Sequence, residues 1–287
     1  MSSGNGKRWT TGKILAIVIP ICVVVAAVAV TLVLVLGKND QNQNSQAASN
    51  EEILQAYEDI SKQAQEAMAS MQQLESQDPT SDPQVYEEQV LETQTEFEEL
   101  TILVEEAANS VIEVSEDYAE LYAEYEELYN YIVDYYAYVD QFTQEAISQL
   151  QYLESIVPTL EEMQQLEELT NRLKNLPATG QSGELASQLS QRSQKALADL
   201  QSTTPPSSMG SYSNSMQSLT NQINSLTQQM TQALAGGNKA SFNSLADQLT
   251  ASISQIDQQL SATLSGIVSG YTAALSQMAA SITSALP

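Results

Sequence analysis

The chain has 287 residues, 10 Lys and Arg against 36 Asp and Glu, no His and one Cys, and its formal charge is −26. The excess is local: 31 acids and three bases fall in residues 51–176, four acids and three bases in 177–287, and one acid and four bases in 1–50. Adaptation to high salt would spread acid over the whole surface and a nucleic-acid binder would carry the opposite sign, while the missing His and the single Cys remove the commonest general base, most zinc sites and any internal disulfide. An enzyme, a metal site and a cofactor are therefore not expected.

From Ile14 to Leu36 the chain runs 23 residues without a charge. That is enough to cross a hydrocarbon layer of about 30 Å as a helix. Lys7, Arg8 and Lys13 precede it and only Lys38 is close behind, so the positive-inside rule assigns 1–13 as a cytoplasmic tail and 14–36 as a transmembrane helix in contact with lipid. The expectation is a single-pass plasma-membrane protein with its C-terminus outside. The apolar stretch is too long for a cleaved signal peptide. No Asn-x-Ser/Thr sequon lies beyond it, which favours a prokaryotic envelope over a eukaryotic secretory route. Residues 37–50 lack an apolar pattern and read as a flexible tether.

Beyond residue 50 helices are expected, because Gly and Pro are sparse. In 51–77 the apolar positions Ile53, Tyr57, Ile60, Ala64, Ala67, Met71 and Leu74 alternate steps of four and three. A turn at 78–83 then offers Asp82 as N-cap and Pro83 as first helical residue. A sustained heptad runs from 83 to 157. Its a sites are Val90, Phe97, Val104, Val111, Tyr118, Tyr125, Ile132, Val139, Ala146 and Leu153; its d sites run from Tyr86 to Ile156 with only Thr93 and Gln149 polar. That period implies supercoiling against partner helices, with Asn109-Ser110 as the place to break if the rod folds back. Shorter helices are expected at 159–176, 184–202 and 209–235. A last one at 239–286 carries an eleven-residue repeat from Phe242 to Ile282. The fold class is thus all-α: an elongated coiled-coil or helical-bundle ectodomain behind one membrane helix. Its segments are 51–176 (acidic coiled coil), 177–208 (linker-rich, with a short helix) and 209–287 (a Ser/Thr/Gln-rich helical hairpin).

Four features bear on function. The c positions Glu92, Glu99, Glu106, Glu113, Glu120, Glu127 and Asp134 form an acidic ribbon, and only Lys62, Arg172 and Lys174 are basic within 51–176, so i,i+4 pairing cannot neutralise it. Such a ribbon suits a basic protein partner, or else a solvated face. Eight tyrosines crowd 118–138. Tyr122, Tyr129, Tyr131, Tyr136 and Tyr138 fall at e and g, where they either widen the packed stripe or form an adhesive surface. Gly266 and Gly270 make a GxxxG step in a stretch uncharged after Asp257, a pattern for close helix packing, self-association or membrane insertion.

Leu176-Pro177-Ala178-Thr179-Gly180 resembles the sortase sorting signal of Gram-positive surface proteins. That family's motif precedes an apolar span and a basic tail, neither of which occurs after it here, so the pentapeptide reads as a helix-ending linker. The expected function is a membrane-anchored extracytoplasmic scaffold or accessory subunit that mediates protein association, without catalysis. A membrane-active or oligomerising C-terminal helix, and a ligand-binding sensor ectodomain, are the alternatives.

Overall fold

Residues 44–118, 126–176 and 181–285 are described by the computed structural model. Among them stand six α-helices and no strand: α1 Asn44–Glu75, α2 Pro83–Tyr118, α3 Glu126–Asn175, α4 Gln181–Gln201, α5 Gly210–Ala235 and α6 Lys239–Ser284. A short 3-10 turn, Ser207–Met209, precedes α5.

The α1–α2 turn obeys the sequence chemistry. Asp78 accepts hydrogen bonds from the Thr80 backbone N–H (3.0 Å) and hydroxyl (2.6 Å), which shapes an Asx turn. Asp82 then caps α2 through the N–H of Val85 (3.3 Å), and Pro83 takes the first helical position, where its missing N–H is harmless. At the α5–α6 joint Gly237 has φ +68°, a left-handed conformation that glycine adopts without penalty. Asn238 there donates to the Ala233 carbonyl (2.8 Å) and its side chain caps Ser241 N–H (3.0 Å).

Every heptad a and d residue whose side chain is described is buried, from Tyr86 and Val90 on α2 to Leu153 and Ile156 on α3, the polar Thr93 and Gln149 included. The chain forms two compact units that cut across the segments of the sequence. One draws on Met1–Gln65, Leu100–Phe142 and Gly270–Pro287, the other on Glu66–Glu99 and Thr143–Ser269. The first has a core of Tyr57, Ile60, Leu100, Val104, Ile132, Val139 and Phe142. The second is built around Met71, Val90, Phe97, Leu150, Leu160, Leu173, Met216, Ile223, Leu249 and Ile256, with α4 packed on α5.

Several expectations change. Pro158 does not end a helix: α3 runs through it to Asn175. Asn109-Ser110 is no break, since α2 continues to Tyr118, and whether helix joins α2 to α3 concerns 119–125, outside the described residues. Residues 44–50 of the expected tether belong to α1. The buried stripe of α6 matches the eleven-residue repeat from Leu249 to Leu264, but Ala246 and Val268 lie deeper than Leu245 and Ile267. The single-pass membrane placement is corrected: among the described residues no helix is long and apolar enough to cross a membrane. The stretch 14–36 that carried that expectation lies outside the described residues. The same finding removes the reading of the uncharged part of α6 as a membrane helix.

Candidate functional site

The acidic face is clearest on the part of α2 that belongs to the second unit. Glu88, Glu92, Glu98 and Glu99 are exposed there, because Val90, Thr93 and Phe97 turn the opposite face into the core. Val85 and Leu91 stand among these carboxylates, 44% and 43% exposed. No Lys or Arg occurs anywhere in α2. Beside this face, α2 and α3 frame an open cleft of about 510 Å³. Three carboxylates line it, Glu87, Glu154 and Glu161, with Gln151, Ser155, Val157 and Pro158. Pro158 has no N–H to give, so the Glu154 carbonyl on this wall lacks its usual helical donor. The chemistry on offer is acceptor-rich and anionic beside a little apolar surface, which suits cationic side chains. Among the described residues no three carboxylates converge tightly enough to hold a metal ion.

Of the other ribbon residues, Glu106, Glu127 and Asp134 are exposed in the first unit. Glu113 lies on α2, but its side chain, like Glu120 and Tyr122 altogether, falls outside the described residues.

The tyrosines divide. Tyr129 and Tyr136 are 6% and 0% exposed: of the two readings for them, the packed stripe holds and the outer adhesive surface does not. Tyr131 and Tyr138 are half-buried. Tyr131 donates to Glu127 (3.1 Å), and this carboxylate pushes the phenol above its ordinary range. Tyr138 leans on Phe142 with ring centroids 6.0 Å apart, and burial pushes its phenol up. Deeper in the same unit, Tyr135 and Tyr57 meet edge to face at 5.0 Å and Tyr135 hydrogen-bonds Ser61 (3.0 Å). Gly266 and Gly270 are exposed, and a Cβ built on either meets nothing within 4 Å. The expectation of close backbone packing there is corrected.

Sequence reasoning missed two buried polar groupings in the second unit. Glu162 on α3 is 4% exposed and is held by Arg192 (2.8 Å) and Lys195 (2.6 Å) of α4. The second grouping comprises Tyr86 of α2, Tyr212 of α5 and Asp257 of α6. Both phenols are buried, and their hydroxyls and the Asp257 Oδ1 are sealed from solvent with no hydrogen-bond partner among the described residues. The available signal was Asp257 itself, a charge placed four residues after Ile253 and beside Ile256 of the apolar stripe. Comparison with known protein families, curated proteins and solved structures finds no match.

Proposed function

We propose that the chain is a non-catalytic helical scaffold that binds a cationic protein segment along the α2–α3 face of its second unit. The observation that supports this reading is the exposed row Glu88, Glu92, Glu98 and Glu99, interrupted by Leu91 and unrelieved by any cation on its own helix. Lys or Arg side chains would meet these carboxylates and those of the cleft, while Leu91 within the row and Val85 just before it supply apolar contact. Charge of this kind sets association rate and partner choice more than raw affinity. These carboxylates have no cation on their own helix to pair with, and a cationic partner would supply one.

The test compares full-length protein with Glu92→Gln/Glu98→Gln/Glu99→Gln after affinity purification from the native source. A protein recovered in stoichiometric amount with the wild type, released by moderate salt and lost with the triple variant is the expected result. The same recovery with both chains would overturn the reading.

A further inference from the structure

Helix α4 is seated in the second unit on a polar surface. Its buried positions are Ala186, Leu189, Ser193, Ala196 and Leu200, a spacing of threes and fours in which only the two leucines are large. Over a similar length the neighbouring α5 buries Tyr212, Met216, Leu219, Ile223, Leu226 and Met230. Stabilisation by burial scales with the apolar area removed from water, so α4 gains far less from docking than α5 does.

Charges and hydroxyls hold α4 instead. Against α3, Arg192 and Lys195 both donate to the carboxylate of Glu162, at 2.8 Å and 2.6 Å, and the Thr159 hydroxyl reaches the Ala196 carbonyl (3.4 Å). Against α5, the Ser193 hydroxyl shares hydrogen bonds with Thr227 (2.8 Å) and Asn224 (3.0 Å), and Thr231 donates to the Ala186 carbonyl (3.3 Å). Two of the three bases beyond residue 176 thus meet at one carboxylate. Glu162 is sealed from solvent, but its two cations are partly exposed, so dissolved ions reach them while the helix is docked. An ion pair of this kind roughly repays the desolvation of its charges and adds little cohesion. When α4 lifts away, all three charges and the hydroxyls regain water and none is stranded.

We propose that α4 is an ionically latched helix, seated by Arg192 and Lys195 on Glu162 at low ionic strength and released from α3 and α5 as one piece, ahead of the rest of the second unit, when salt screens those pairs. Release uncovers Thr159, Glu162 and Thr227, all buried while the helix is docked. The salt response of α4 is opposite in sign to that of the acidic chain as a whole. Elsewhere the excess of carboxylates repels itself and salt relieves it. On α4, which carries two acids and two bases, the charges facing α3 attract and salt weakens them.

Hydrogen–deuterium exchange of the full-length protein at constant pH, corrected for intrinsic rates, tests this by comparing peptides within 186–200 with peptides within 216–230 and 249–260 at about 0.05 M and about 0.5 M sodium chloride. Protection of α4 is expected to fall about three- to tenfold with salt, the effect of screening two partly exposed pairs, while the reference peptides hold or gain. Glu162→Gln, which removes both pairs, should lower α4 protection at low salt by a similar factor and abolish the salt response. Ser193→Ala, which removes an uncharged link, should lower α4 protection at both salt concentrations and keep the response. Protection of α4 that rises with salt alongside the reference peptides, exchange of α4 only together with them, or a salt response that Glu162→Gln leaves intact would overturn the proposal. If Glu162→Gln does not fold, the wild-type comparison decides: a fall confined to α4 supports the latch and a shared rise overturns it.

Discussion

Glu162 shows how much one residue depends on its neighbours. Its carboxylate is almost sealed from solvent, whereas the side chains of Arg192 and Lys195 are 36% and 61% exposed. Removing both cations strands a buried charge, while removing one leaves the other in place, so the two losses should not add. Arg192→Ala/Lys195→Ala is expected to lose about 2–3 kcal/mol in urea unfolding, and Lys195→Ala alone less than about 1. A double loss no larger than two ordinary surface substitutions would show that Glu162 rehydrates freely. The Ser61–Tyr135 bond is a neutral counterpart, buried and 3.0 Å long. Tyr135→Phe should cost about 1 kcal/mol, because it leaves the buried serine hydroxyl without this partner.

At the scale of the element, Pro158 and the two exposed glycines of α6 test what holds a helix together. Pro158 leaves the Glu154 carbonyl without its donor, yet α3 continues because Ile156, Val157, Thr159 and Leu160 are all buried around it. Packing has overridden a local penalty. Since Pro158 is itself exposed, Pro158→Ala should give up little contact and raise stability by about 1–3 kcal/mol, read from the urea midpoint at constant m-value. A fall would mean that the ring is needed where it stands. For Gly266→Ala/Gly270→Ala the open space at both sites leads to an expected gain of about 1–2 kcal/mol in the same assay. A loss would restore close packing of these positions against another helix.

For the whole molecule the governing fact is charge: 31 acids against three bases over residues 51–176. Self-repulsion on this scale weakens the folded state, and salt screens it. Raising sodium chloride from about 0.05 M to about 0.5 M should therefore raise the thermal midpoint by several degrees. Glu92→Gln/Glu98→Gln/Glu99→Gln should raise it at low salt and respond less to added salt. A midpoint indifferent to salt would show that the acids are already neutralised by pairs or bound cations. The same triple variant is expected to lose a cationic partner, so stability and binding should move in opposite directions, as they do where a charged surface is kept for recognition.

Much of this was legible in the chain. The heptad from Tyr86 to Ile156, the Asp82 cap before Pro83, the Gly236-Gly237 joint and the exposure of Glu92 and Glu99 follow from local periodicity and turn chemistry, which depend only on near neighbours in sequence. Tertiary structure alone decided the rest. Tyr129 and Tyr136 lie inside rather than outside, which a heptad position by itself cannot decide because it does not count the partners of its helix. Helix α3 survives Pro158 because burial on both sides of it outweighs one missing hydrogen bond. Tyr86 and Tyr212 are buried, and the Asp257 Oδ1 sealed from solvent, in one unit because helices distant in sequence pack together there, and which helices become neighbours is a non-local choice.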